Sequence, residues 1–251
     1  DRPNDYLLEH RNAYDYNLKT WGITMPYNLW KNLKDEKYYI EIDVVWKKDS
    51  MKVGEVFIKG KSDKIICYTA HIDELCNDDL SGCVAGIEFF NYLKLQKNLK
   101  YSYQLLLLPE LFGPIFYLFN NPKKISKYLG MINLETVGAG ESLCIKKALN
   151  KNFFLEDLLR LSINNLNIKF KELDFFDGYL NDEKILSWPT LNIGSIAIQR
   201  YPFKEYHTSS DNLQKINYKY LIEILKILEK FTNIIELDYI PKYVNKFPPW
   251  L

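Results

Sequence analysis

One segment, residues 64–90, constrains the fold of this chain more than any other. It opens with an apolar run of the length of a buried strand and closes with apolar residues at helical spacing. The strand residues are Ile65, Ile66, Cys67 and Tyr68, and the helix residues are Cys83, Val84, Ile87 and Phe90. Between them lies a polar loop, which ends at Gly82, a residue small enough for the helix to start close against the strand.

The rest of the chain continues this alternation of strands and helices. The predicted strands cover 101–108, 131–134, 168–173 and 190–198. The predicted helices cover 113–120, 153–166 and 218–235. Residues 37–46 alternate between apolar and polar, and after a turn residues 53–58 return as a second strand, which predicts an antiparallel hairpin. We therefore expect an α/β fold, a mostly parallel central sheet with helices on both faces and the antiparallel hairpin at one edge.

The length and composition favour one soluble domain. No repeat or low-complexity linker divides the 251 residues. We expect an irregular N-terminal cap over 1–35, the main domain over 36–237 and a C-terminal strap over 238–251. The 33 basic residues are balanced by 32 acidic ones, and no basic stripe contains interleaved aromatics, so we expect no nucleic-acid partner.

The compartment is predicted from two further features. No apolar run is long enough to span a bilayer and the first residues lack the pattern of a signal peptide, so we expect no membrane insertion. The four cysteines contain no CxxC pair, which is typical of a reducing cytoplasm. We therefore expect a cytoplasmic protein. The oligomeric state is not predicted.

The polar loop after the first buried strand is rich in potential metal ligands. Its ionisable residues are His71, Asp73, Glu74, Asp78 and Asp79. Ligands of open α/β sheets bind beyond the carboxyl ends of strands, and a histidine with carboxylates is a suitable ligand set for a divalent metal. The same acids could instead cap the following helix and favour its dipole.

Three more ionisable residues follow predicted strands. Glu110 comes two residues after the strand 101–108, and Glu135 comes directly after the strand 131–134. His207 lies in a hydroxyl-rich segment between the last strand and the last helix, and it could be a ligand or part of an ordinary capped loop. Strand ends at one edge of a sheet would bring these side chains near His71.

The order of these residues resembles the bacterial zinc aminopeptidases of the co-catalytic exopeptidase family. The matching motifs are His71-Ile72-Asp73, Asp78-Asp79-Leu80-Ser81-Gly82, Glu110, Glu135-Thr136-Val137-Gly138 and His207-Thr208-Ser209. Further phrases are similar to the aminopeptidase-like domain of unknown function found near bacterial surface-polysaccharide genes. In that branch a small β-rich domain is inserted before a Trp-Gly phrase, here Trp21-Gly22, which implies that 1–35 is a remnant of it.

The resemblance implies a role for each matching residue. Asp78 would bridge two zinc ions, His71 and Glu135 would complete one site, and His207 would belong to the other. Asp73 would orient His71 as part of the catalytic apparatus.

Glu110 departs from the family, because Leu111 follows it where the family has a second acid. One carboxylate cannot readily be both general base and ligand, so either only one metal binds tightly or Glu110 is a ligand and activity is lost or altered. The expected cofactor is therefore zinc, as one or two ions. We favour Glu110 as the base, since it precedes Gly113 by three residues as the family's base does.

Other assignments stay open at this point. His71 and Glu74 have the spacing of a single-zinc carboxypeptidase site, which would leave Asp78 as a helix cap. Asp182 and Glu183 could anchor a substrate amine or form a solvated turn, and Tyr206 is a further candidate for substrate binding.

The expected function is a metal-dependent amide hydrolase, aminopeptidase-like, which acts on a small peptide or an amide-bearing small molecule. A role in surface-polysaccharide biosynthesis is implied by the resemblance alone. The alternatives are the carboxypeptidase-like hydrolase and a catalytically inactive binding module. A serine hydrolase is disfavoured, because no Gly-x-Ser-x-Gly elbow surrounds Ser81.

Overall fold

A seven-stranded sheet forms the centre of the computed structural model, which describes residues 23–34, 37–43, 45, 47–149, 153–191 and 193–239. The strands are β1 (Gly54–Ile58), β2 (Ile65–His71), β3 (Ser102–Leu108), β4 (Tyr128–Glu135), β5 (Ser142–Lys146), β6 (Lys171–Leu173) and β7 (Ser195–Tyr201). The helices are α1 (Tyr27–Lys31), α2 (Ser81–Leu95), α3 (Phe112–Asn120), α4 (Pro122–Ile125), α5 (Phe154–Asn165), α6 (Glu183–Leu186) and α7 (Tyr218–Leu237).

The strands follow the order β1-β3-β2-β4-β7-β5-β6 across the sheet. The inner strands β3, β2, β4 and β7 run parallel to one another, and β6 is parallel to β5. Two pairs are antiparallel, β1 with β3 and β5 with β7. The prediction of an α/β fold with a mostly parallel sheet is confirmed.

Helices cover both faces of the sheet, as predicted. All seven residues of β2 are buried, and successive side chains face opposite layers. Tyr68 packs against Phe89 and Phe90 of α2, in the layer that also contains α5 and α7. Cys67 belongs to the opposite apolar cluster, to which α3, α4 and α6 contribute. Two buried faces explain why this strand reads as a continuous apolar run.

The antiparallel edge strand is confirmed, but the predicted hairpin partner is wrong. β1 pairs with β3, from Gly54 opposite Leu107 to Ile58 opposite Tyr103. Residues 37–43 form no strand and are exposed, while Val44 and Trp46 lie outside the described residues. The outer edge of β1 is open in the described part of the sheet, but Ile40 and Ile42, on the apolar face of the predicted strand, are 40% and 53% exposed. Alternation alone does not stabilise a strand whose apolar face packs against no other layer.

Several elements differ from the sequence predictions. β5 was not predicted, because its apolar run, Leu143 to Ile145, is only three residues long before Lys146. β6 begins three residues later than predicted, and β7 begins five residues later and ends three residues later. Of the predicted cap, residues 1–22 and 35 lie outside the described residues, and the described part contains the short helix α1. Residues 240–251 of the predicted strap also lie outside them. None of the helices in the described ranges is long and apolar enough to cross a membrane.

Candidate metal centre

The sheet brings the predicted strand exits to one edge. His71 is the last residue of β2 and Glu135 is the last residue of β4. Glu110 follows β3, the other neighbour of β2. His207 follows β7, which pairs with β4. Because these strands are parallel neighbours, their carboxyl ends place all four residues at the same edge.

His71, Asp78 and Glu135 form a buried cluster. The Nε2 atom of His71 lies 3.0 Å from Oδ1 of Asp78 and 3.7 Å from Oε2 of Glu135. One ligand atom from each residue lies within 4.8 Å of the others. The other oxygen of Glu135 is buried without a hydrogen-bond partner in the described part of the chain. An imidazole nitrogen, two carboxylates and a free buried lone pair fit a zinc ion.

His207 contacts the opposite oxygen of the shared carboxylate. Its Nε2 atom lies 3.0 Å from Oδ2 of Asp78, so Asp78 stands between the two histidines. Burial raises the pKa of Asp78, but the bonds with His207 and His71 outweigh burial and lower that pKa to about 2. His207 itself has a positive φ of 56°, an uncommon conformation for a residue other than glycine.

Asp73 faces the second ring nitrogen of His71. Its Oδ1 atom lies 3.2 Å from Nδ1 of His71, which is the contact expected of a residue that orients a ligand. The same carboxylate accepts the backbone N–H of Glu110 at 3.0 and 3.1 Å. Burial lowers the pKa of His71, but the bonds with Asp73 and Asp78 more than offset burial and hold that pKa well above its usual value.

Glu110 lies beside the cluster rather than in it. The side chain is half-buried, and burial raises its pKa, assisted by the negative charges of Asp78 and Asp73. A carboxylate with a raised pKa is a better proton acceptor, as a general base requires. Glu74 is not part of the only three-ligand cluster of the described residues, which contains Asp78 instead.

Asp79 holds the loop that carries Asp78. Its buried carboxylate accepts backbone N–H groups of His71, Gly82 and Thr136 at 3.3, 3.2 and 3.1 Å. These bonds agree with the capping interpretation for this acid. The peptide bond between Asp78 and Asp79 is cis.

Four residues around the cluster were missed by sequence reasoning. Asp211 accepts the N–H groups of Asn77 and Asp78 at 2.8 and 3.0 Å. The side chain of Asn77 in turn accepts the N–H of Gly138 at 2.9 Å. Asn181 donates its amide to Glu135, and Lys146 is buried nearby. The only available signal was proximity, since Asp211 and Asn181 lie within four residues of predicted site residues.

Asp182, Glu183 and Tyr206 have internal partners, and their role in substrate binding stays a prediction. Asp182 and Glu183 are fully buried, which excludes the solvated turn. The ring of Tyr206 is stacked between Tyr179 at 3.9 Å and His207 at 3.8 Å. Tyr206 can therefore offer a substrate only its edge or its hydroxyl group.

The match to known proteins rests on most of the chain. A family model described as "Domain of unknown function (DUF4910)" matches residues 12–238. The chain belongs to the DUF4910 family. This confirms the predicted aminopeptidase-like family, since a relative from Clostridium acetobutylicum is assigned as a polysaccharide biosynthesis protein with an aminopeptidase-like domain. This relative is 29% identical to the chain over 235 residues, and the match covers 89% of this chain and 54% of the relative.

Solved structures agree on the fold of this DUF4910 chain. A crystal structure from Clostridium acetobutylicum, assigned as a peptidase, has a TM-score of 0.83 and 26% identity, and the match covers 93% of this chain and 55% of that one. An aminopeptidase from Aneurinibacillus sp. strain AM-1 has a TM-score of 0.62 and 20% identity, and the match covers 70% of this chain and 46% of that one. The second likeness shows the fold alone. The chain spans about half the length of the Clostridium relatives it matches.

Proposed function

We propose that this chain is a zinc-dependent amide hydrolase of the aminopeptidase type. The observation that carries the proposal is the buried cluster of His71, Asp78 and Glu135, with an imidazole nitrogen and two carboxylates within 4.8 Å. The aminopeptidase-like fold supports the same class of chemistry. Without a cation, burying two carboxylates so close together would cost folding free energy, and a bound divalent cation offsets that cost.

The chain's own residues supply the proton transfers. When bound, a zinc ion would polarise the amide carbonyl and make water a stronger nucleophile. Glu110 accepts a proton from the attacking water molecule while the oxygen of that water bonds to the carbonyl carbon of the amide. The same carboxyl group then gives the proton to the amine as the carbon–nitrogen bond breaks. Asp73 contacts both His71 and the backbone of Glu110, so it couples the ligand to the base.

We propose one tightly bound zinc ion. In the described ranges, only His71, Asp78 and Glu135 form a group of three ligands. On the other side of Asp78, His207 has no acid from position 111, because that residue is leucine. A second ion would therefore have two protein ligands and bind weakly.

The substrate class and the compartment are extensions of the proposal. We propose a small peptide or an amide-bearing small molecule, with a role in surface-polysaccharide biosynthesis that the name of the Clostridium relative supports. All four cysteines are free thiols, which favours a reducing cytoplasm.

The test measures zinc and turnover separately. Metal-free protein is dialysed against zinc, the bound zinc is counted by elemental analysis, and hydrolysis is followed on a panel of aminoacyl amides. We expect one zinc ion per chain and turnover that depends on it. The variant His71→Ala should lose the zinc. Glu110→Gln should keep the zinc and lose turnover about 100-fold or more. A wild-type protein that binds no zinc and hydrolyses no amide would refute the proposal.

A second candidate, an inactive metal-binding module, is favoured by one observation. Leu111 stands where a second acid would complete the catalytic pair. In that case Glu110→Gln would change neither zinc binding nor ligand binding, and no amide of the panel would be cleaved.

A further inference from the structure

Three consecutive buried residues connect the metal cluster, the loop of the candidate base and the central sheet. Asn181, Asp182 and Glu183 lie between β6 and the end of α6, and their exposed fractions are 2%, 0% and 0%. Each side chain has a different partner. We refer to residues 181–183 as the clamp segment.

Asn181 contacts the candidate metal cluster. Its side-chain amide donates a hydrogen bond to Oε2 of Glu135, the oxygen that faces His71. Its carbonyl oxygen accepts the backbone N–H of Asp182 at 2.6 Å, which fixes the orientation of the amide. The amide group therefore holds the Glu135 carboxylate in one orientation, with the other oxygen left without a hydrogen bond.

Asp182 contacts the loop of the candidate base. Its Oδ1 atom accepts the backbone N–H of Leu111 at 2.8 Å. Leu111 has a positive φ of 59°, which is uncommon for a leucine. Glu110 precedes this residue, so the bond holds the backbone turn that aims the Glu110 side chain. No contact with Glu135 is needed for this effect.

Glu183 fixes the segment to the sheet. Its Oε1 atom lies 2.6 Å from Nζ of Lys146, whose side chain is fully buried, and it also accepts the N–H of Asn181 at 3.1 Å. The other oxygen accepts the amide of Asn133 at 3.3 Å, on β4. A buried ion pair with additional hydrogen bonds holds its members in one geometry, while loss of one partner leaves a costly unpaired charge.

We propose that the clamp segment positions the two functional halves of the site separately, with Asn181 acting on the metal ligand Glu135 and Asp182 acting on the base Glu110. The Lys146–Glu183 ion pair anchors both. The inference rests on the proposed function. It assigns to these residues a positioning role, in place of direct contact with a substrate amine.

The first test measures zinc affinity in competition with a chromophoric chelator. Asn181→Ala should weaken zinc binding about 10- to 100-fold, because an unsupported carboxylate ligand must be ordered when the metal binds. Asp182→Ala should change zinc affinity less than threefold. The control is Asn120→Ala, which removes an exposed amide that binds only its own helix. Equal zinc affinities in Asn181→Ala and wild type would overturn the role of Asn181.

The second test separates positioning from substrate binding. Asp182→Ala should lower kcat about tenfold or more, with little change in KM, and Asp182→Asn should recover most of the loss, because its amide oxygen still accepts the Leu111 N–H. A salt link to a substrate amine would instead raise KM, and asparagine would not restore it. Asp177→Ala, an exposed acid of the preceding loop, is the matched control.

A third measurement does not depend on zinc or turnover. Amide hydrogen exchange of Leu111 in the metal-free protein should be slow in wild type and in Asp182→Asn, and at least tenfold faster in Asp182→Ala. Unchanged exchange would overturn the role of Asp182. If wild type binds no zinc while exchange behaves as expected, the hydrolase proposal fails and the backbone support by Asp182 stands.

The anchor is tested by a compensated pair of substitutions. Lys146→Met alone should destabilise the fold, since it leaves the buried carboxylate of Glu183 unpaired. Combining it with Glu183→Gln removes both charges and should restore folding, with zinc affinity still below that of wild type. Wild-type affinity in the folded double variant would show that the ion pair does not position the segment.

Discussion

Replacement of Asp79 tests how the loop of the candidate site is held in place. Its fully buried carboxylate is the acceptor for three backbone N–H groups, at distances of 3.1 to 3.3 Å. The donors are the last residue of β2, the second residue of α2 and the residue after β4. One side chain therefore joins three elements whose ends form the site.

The expected loss of stability follows from counting these bonds. In Asp79→Ala all three donors lose their acceptor, and each unsatisfied buried group costs about 1–3 kcal/mol. Removal of a buried carboxyl group, whose pKa burial raises well above its usual value, offsets part of this cost. We expect a net loss of about 3–6 kcal/mol, a large part of the ~5–15 kcal/mol that stabilises a typical domain.

The asparagine variant should lose less. Its amide oxygen can take the place of Oδ1, which accepts the N–H groups of Gly82 and Thr136. Its amide nitrogen then faces the N–H of His71, and two donors cannot bond. One bond of the three is lost, so we expect a loss of about 1–3 kcal/mol.

Urea unfolding of the metal-free proteins, followed by far-UV circular dichroism, gives these free energies directly. The expected order of stability is wild type, Asp79→Asn and Asp79→Ala. The exposed Asp177→Ala variant should stay within about 0.5 kcal/mol of wild type. An alanine variant within about 1 kcal/mol of wild type, or an asparagine variant less stable than alanine, would refute the reasoning.

Three further outcomes follow from the structure. Gly82→Ala should destabilise the protein by about 1–3 kcal/mol in the same urea assay, because the new Cβ would lie 2.4 Å from the carbonyl oxygen of Leu134. Burial raises the pKa of Asp182 to about 7, so its contribution to stability is full below about pH 4 and is lost as the pH rises to about 7. Asparagine does not ionise, so wild type should lose about 4 kcal/mol of unfolding free energy relative to Asp182→Asn between pH 4 and pH 8. A difference between the two proteins that stays constant with pH would contradict this. Finally, zinc at about 100 times its dissociation constant should stabilise wild type by ~2.7 kcal/mol, reversibly with a chelator, and should leave His71→Ala unchanged.

Much of the fold could be predicted from local patterns. β2 and α2 follow from an apolar run and a helical repeat in adjacent segments, and α7 follows from one apolar stripe. The alternation of strands and helices predicts parallel pairing, which places the strand exits at one edge. For that reason His71, Glu135 and His207 could be expected at one edge of the sheet, although the first and last are far apart in the sequence.

The sequence by itself determined which residue types stand at the ends of the strands, because apolar runs and the acids that follow them are local features. Only the tertiary structure decided that Asp78 rather than Glu74 joins His71, and that residues 37–43 form no strand beside β1. The same holds for Asn181 and Lys146, whose partners lie 46 and 37 positions away. These outcomes depend on which distant groups share a buried volume and satisfy each other's hydrogen bonds, and no local pattern encodes that.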